Sequence, residues 1–271
     1  MNLRTYMPFA RSVMQTYLSY GVNAVVFMLG GFLRVFLAYY LWMAIFDSSG
    51  QEVLRGFSRV EMAVYVMMMD FIIRLTFAAE ADGWVGEEVR SGAIAMNLIK
   101  PISYTGRIFF MSLGSLFYEV LFVFLPMGLI FGWLGTQFLG VILPEPIQFA
   151  AFFLSVFMGF LILFSINLSF GFLAFYLKNL WGMGNFKYVL LTFLSGALIP
   201  ISFFPEAFQP LLLALPFSSI HYTPVQIFLG KIQGQELLVA LGTQALWAVI
   251  FYLGSQLVYR GAVKHLTVQG G

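Results

Sequence analysis

The sequence predicts an all-α, polytopic membrane protein that crosses the bilayer about six times. Three observations carry this. Hydrophobic residues make up 61% of the 271 positions and charged residues only 10%, against about 25% charged in an ordinary soluble domain. Windows of twenty or more residues without a charge recur along the chain, the length a helix needs to cross a hydrocarbon core of ~30 Å. Lys and Arg gather in alternate segments between those windows, the bias that fixes membrane topology.

Residues 1–20 are weakly apolar, with Phe9, Val13, Tyr17 and Tyr20 on one helical face and Arg4, Arg11 and Gln15 elsewhere. This pattern suits an interfacial helix retained ahead of the first span, or a helical extension of that span. The spans are expected at 21–46, 60–79, 108–131, 149–177, 188–201 and 237–259, with 178–187 as a small basic loop and a basic tail ending at His265. Four or seven spans would follow if the proline-rich stretch 197–230 were read otherwise. With the N-terminus cytoplasmic, Arg4, Arg11, Arg90, Lys100, Arg107, Lys178, Lys187, Arg260 and Lys264 lie inside and Arg55, Arg59 and Lys231 outside. That asymmetry, with an even number of spans, puts both termini in the cytoplasm.

Some functions are excluded early. There is no cysteine, so neither disulfides nor thiolate metal sites exist, and two histidines are too few for a histidine metal site. A net charge of +2 is no nucleic-acid signature. No Walker A, HExxH or GxSxG motif occurs. His221, near Ser218, Ser219 and Tyr222, is a weak basis for a hydrolase. Gly128 and Gly132 form a GxxxG pattern that chance explains equally well.

Four charges fall inside expected spans: Arg34, Asp70, Arg74 and Glu119. Asp70 and Arg74 are four apart on one face and can neutralise each other. Together the four read as a buried ionic network that orients helices, or as a polar face or gate on a substrate path. Snorkelling explains Arg34 and Asp70 if they lie nearer the interface. After the second span comes GEEVRSGAIAMNLIKPIS, in which 87–101 reads as an amphipathic helix. Glu88, Arg90 and Ser91 would face water, and Val89, Ile94, Leu98 and Ile99 would pack on the spans. Before the last span, SGALIPISFFPEAFQPLLLALPFSSIHYTPVQIFLG is apolar but broken by Pro200, Pro205, Pro210, Pro216 and Pro224. No single spanning helix carries prolines at that density, so 208–215 reads as a short helix entering or lying on the outer surface, its backbone shielded by protein or water.

The basic N-terminal segment and these two stretches, in this order, resemble the permease subunit of ABC-2 type transporters, in a poorly characterised branch of that family. The resemblance covers essentially the whole chain. It implies six transmembrane helices, a second permease subunit (identical or paralogous) and two cytoplasmic ATPase subunits. Those ATPases, not this chain, bind ATP and Mg; the chain itself is no enzyme and binds no cofactor. It further implies that 86–98 is the coupling helix at the ATPase, with Gly86, Glu87, Glu88, Arg90 and Gly92 at the matching positions. The stretch from Pro200 to Pro216, with Pro205, Glu206 and Pro210 and the hairpin itself at 202–217, matches the outer re-entrant hairpin. The implied function is export of an amphipathic or hydrophobic substrate across a bacterial cytoplasmic membrane, with contact from the first, second and fifth spans. An ATP-independent channel or secondary carrier, a membrane enzyme and a purely structural protein are the competing classes.

Overall fold

A computed structural model describes residues 3–138, 140–141, 143–177 and 180–264. Lys178 and His265 lie outside the described residues. The chain opens with α1 (Leu3–Ser19) and α2 (Gly21–Ser49). A two-stranded hairpin follows, β1 (Val53–Leu54) against β2 (Phe57–Ser58). Then α3 (Arg59–Phe77) begins at a capping box in which the Ser58 hydroxyl accepts from Glu61 N–H and the Glu61 carboxylate accepts from Ser58 N–H. Two short helices, α4 (Ala81–Arg90) and α5 (Ala93–Leu98), lead to α6 (Tyr104–Tyr118). A π turn, Glu119–Phe124, joins α6 to α7 (Leu125–Phe138) in one long element. Next come α8 (Pro146–Phe172), α9 (Trp181–Leu194), the short α10 (Gln209–Ala214) and α11 (Tyr222–Phe228), and α12 (Gly234–Val263).

Among the described residues, five helical stretches are long and apolar enough to cross a membrane: Met28–Ser49, Arg59–Arg90, Tyr104–Gln137, Pro146–Phe175 and Gly234–Val263. The expected fifth span at 188–201 is helical only to Leu194, because the helix starts earlier, at Trp181. Fourteen residues rise about 21 Å, short of the ~30 Å core. Turns and bends follow from Ser195 to Ile199. The third span also begins before the expected 108, because the Ser103 hydroxyl accepts from Gly106 N–H and caps the helix there.

Helix α8 is the centre of the bundle. Phe152, Phe160 and Phe172 on it are fully buried, and α3, α4, α11 and α12 pack around it. By contrast α2, α9 and α12 present most of their apolar side chains outward, as helices facing lipid or another subunit do. Two ends are defined by ion pairs and rings. At one end Arg55 pairs with Glu206 and Lys231 with Glu61. At the other, Tyr104 stacks on Tyr259, and Tyr259 packs on Phe172.

Helix α1 does not lie apart from the spans. Tyr6 Oη accepts from Ser103 N–H at 2.8 Å, Tyr6 stacks on Phe110, and Tyr17 stacks on Tyr118. The partners advance in the same order along both helices, so α1 runs side by side with α6. Gly114 permits this, since a Cβ there would stand 2.2 Å from the Ala10 carbonyl oxygen. The expected GxxxG pair does nothing comparable: a Cβ on Gly132 would meet nothing within 4 Å, and one on Gly128 only Phe124 of its own helix turn.

Candidate functional site

The segment after the second span is two helices rather than the single one expected over 86–98. Gly92 adopts φ +76° between α4 and α5, a left-handed conformation that breaks a helix and that glycine takes without steric cost. Gly86 is buried in α4. Glu87 and Arg90 are exposed and pair with each other at 2.6 Å. Glu88 is the correction: it does not face water. Its carboxylate turns inward to Nη2 of Arg107, 2.7 Å from each oxygen, and accepts from the Tyr104 hydroxyl at 2.9 Å. Ile99 also departs from expectation. It is 75% exposed, and Met96 is 65% exposed, so α5 shows two large apolar side chains outward while Ile94 is buried.

Helix α4 is anchored on four sides. Besides the Glu88 link to α6, Asp82 accepts from Lys187 of α9, whose ammonium also donates to Asn167 of α8 at 2.7 Å. Asn167 in turn donates to the Ala79 carbonyl at 2.7 Å. Lys187 therefore belongs to a half-buried ionic junction inside α9, not to a basic loop. Where α4 crosses α8, a Cβ on Gly171 would stand 2.8 Å from Val85 Cβ and 3.0 Å from Asp82 Cα. At its start, Glu80 accepts from the Tyr17 hydroxyl at 3.1 Å. Burial and the Glu80 carboxylate push the Tyr17 phenol up to about 12. A displacement of α4 is thus felt by α1, α6, α8 and α9 together.

The expected intramembrane network forms in part. Asp70 Oδ1 accepts from Arg34 Nη2 at 3.1 Å and Oδ2 from Arg74 Nε at 2.9 Å, so one carboxylate bridges two guanidinium groups. Arg34 leaves 65% of its side chain exposed while Asp70 and Arg74 are largely covered. Gly31 closes the arrangement, since a Cβ there would fall 2.0 Å from Arg74 Nη2. Among the described residues no hydrogen bond joins Glu119 to these three. It opens the π turn, with Oε2 buried and unpaired. A π turn inside a spanning helix is a recurrent mark of a functional position.

The proline-broken segment folds back on itself. Pro200 precedes a 3-10 turn, Ile201–Phe203, and Pro205 and Glu206 lie at the turn before α10. Glu206 reaches Arg55, so this tip shares an end with the β-hairpin. Pro210 stands in the first turn of α10, where the missing N–H costs nothing, and Pro216 follows its end. The chain then returns to depth. His221 is buried, with Nδ1 2.8 Å from Ser195 Oγ and Nε2 3.0 Å from Thr76 Oγ1. Ser195 and Thr76 are themselves fully covered. This pairing ties the proline-broken segment to α3 and leaves both ring nitrogens of His221 engaged in the interior.

A family model for ABC-2 family transporter proteins matches residues 32–270. The chain belongs to that family. Among curated proteins none matches significantly. As an ABC-2 transporter protein it is a multi-pass membrane permease, a transport component and not a catalytic domain. In a multi-pass chain of this family, α4 is the described element tied at once to α1, α6, α8 and α9. Sequence reasoning missed Tyr104, Arg107, Asp82 and Lys187 as partners of that segment. The only signal was the position of Arg107 and Lys187 at the edges of apolar runs, which reads equally well as interface.

Proposed function

We propose that this chain is the permease subunit of an ATP-driven exporter for an amphipathic or hydrophobic substrate. In this reading it sits in a bacterial cytoplasmic membrane with both termini and the α4–α5 segment on the cytoplasmic side. Two ATPase subunits bind ATP and Mg, and a second permease, identical or paralogous, completes the pathway. The observation that carries the reading is the anchoring of α4 by Glu88 and Arg107. Force applied at the exposed Glu87, Arg90, Met96 and Ile99 passes into α6 through that ion pair and into α9 through Asp82 and Lys187. Met96 and Ile99 supply the apolar anchor that a partner interface needs, and Glu87 and Arg90 its polar rim. The exposed faces of α2 and α9 suit a pathway shared with the second permease.

The test is reconstitution with the cognate ATPase. Met96→Asp with Ile99→Asp is expected to abolish co-purification and permease-dependent ATP turnover while leaving the thermal midpoint of the permease unchanged, because both side chains are exposed. Full turnover in that variant overturns the coupling role of this segment. Substrate movement without any ATPase supports the channel or carrier reading instead.

A further inference from the structure

A cavity of about 380 Å³ opens on the face formed by α6, α8 and α12, away from α2 and α9. Phe109, Phe164, Ala248 and Val249 make its walls apolar, and Thr105 and Tyr252 mark its polar side. The helix face below it changes character in order. Tyr252, Gln256 and Arg260 are four residues apart in turn, so they form one stripe on α12. Gln256 Nε2 is buried and donates to nothing, which is costly inside a membrane protein. Arg260 is exposed and has no ionic partner among the described residues. Glu88, which also touches Tyr104, is already neutralised by Arg107. The stack of Tyr259 on Tyr104 sets this turn of α12 beside the N-terminus of α6, whose positive dipole end favours an anion.

We infer that this groove holds one phospholipid with an anionic headgroup, in the leaflet at the α4 end. The acyl chain fills the apolar cavity, a turn of the part-exposed Gln256 side chain brings its amide out to donate to an ester carbonyl, and Arg260 pairs with the phosphate. From Tyr252 to Arg260 the helix rises about 12 Å, so the stripe runs from wall to phenol to amide donor to guanidinium in the order of the lipid's own polarity. Basic pockets between transmembrane helices recognise headgroups in this way. The site is separate from the force-receiving segment and does not depend on the substrate.

The full-length protein is purified in detergent, delipidated and titrated with phosphatidylglycerol or phosphatidylcholine of the same chains, with native mass spectrometry as readout. Wild type is expected to retain one phosphatidylglycerol per chain, about tenfold in preference to phosphatidylcholine, the scale of one charge-assisted contact. Arg260→Gln, at an exposed position, brings that preference close to unity but still binds lipid. Val249→Trp, also at an exposed position, fills the groove and loses both lipids. Absence of retained lipid in wild type, undiminished retention in Val249→Trp, or an intact preference in Arg260→Gln overturns the site. A Val249→Trp chain that changes oligomeric state and loses no lipid marks the face as a protein interface instead.

Discussion

Glu88 on α4 and Arg107 on α6 form a bidentate contact in which a single guanidinium nitrogen lies 2.7 Å from each carboxylate oxygen, both side chains largely covered. The Tyr104 ring lies against the same guanidinium at 5.1 Å and its hydroxyl donates to the same carboxylate. Breaking one half of such a pair strands the other charge. Glu88→Ala is therefore expected to lower stability by roughly 3–5 kcal/mol, read as a fall in thermal midpoint. Glu88→Met combined with Arg107→Met should recover most of the loss in stability, since apolar replacement of both partners is often neutral. Permease-dependent ATP turnover should stay low in the double variant. Turnover restored together with stability would show that the pair holds the fold and does not transmit force.

The same pair explains what was legible in the sequence. The spans around α3, α8 and α12 follow from long apolar runs, and the structure shifts their limits by only a few residues. In the sequence Glu88 reads as water-facing and Lys187 as the end of a small basic loop, because a charge beside a span ordinarily is solvated. Their partners, Arg107 and Asp82, are separated from them by 19 and 105 residues, and no local pattern encodes such a distance. The π turn at Glu119 is equally silent, because α and π hydrogen bonding leave the same apolar composition. Of the four intramembrane charges, Asp70 and Arg74 were legible through their spacing alone, whereas Arg34 reaches them only because α2 packs on α3.

Burial of the Tyr17 phenol, with the Glu80 carboxylate beside it, carries a pH dependence with a definite sign. The folded phenol titrates near 12, above the ~10 of an unfolded tyrosine. Its contribution to stability is fully present below about pH 10 and is lost as pH rises through 12. The difference in thermal midpoint between wild type and Tyr17→Phe should be constant from pH 7 to about pH 9 and shrink above pH 10. A difference that persists unchanged at pH 12 would mean the phenol is not held in its neutral form by this site.

Docking of α1 on α6 rests on the missing side chain at 114. Gly114→Ala places a methyl against the Ala10 carbonyl, a backbone atom that cannot swing aside. The expected cost is about 1–3 kcal/mol, the range for overpacked sites, together with faster proteolysis within residues 3–19. Gly132→Ala, open on all sides in this chain, should be neutral or gain up to about 1 kcal/mol from helix propensity. A protein stabilised equally by both substitutions would mean that α1 is not seated there.

Two adjacent glycines on α2 separate propensity from function at the Asp70 bridge. A Cβ on Gly30 would meet nothing within 4 Å, whereas one on Gly31 would fall 2.0 Å from Arg74 Nη2 and 3.1 Å from Asp70 Oδ2. Gly30→Ala should stabilise by up to about 1 kcal/mol. Gly31→Ala gains the same propensity but must push the guanidinium off its partner. Its net effect is expected to be a loss of roughly 1–2 kcal/mol, since the displaced group is a charged, largely covered one. The decisive measurement is the double-mutant cycle with Arg74→Ala. In that background the nearest obstruction is gone and only the Asp70 carboxylate, at 3.1 Å, stands close, so Gly31→Ala should approach the behaviour of Gly30→Ala. Additive losses instead would mean that Gly31 and Arg74 act independently, and that the close approach of α2 to α3 is not what holds Arg74 on Asp70.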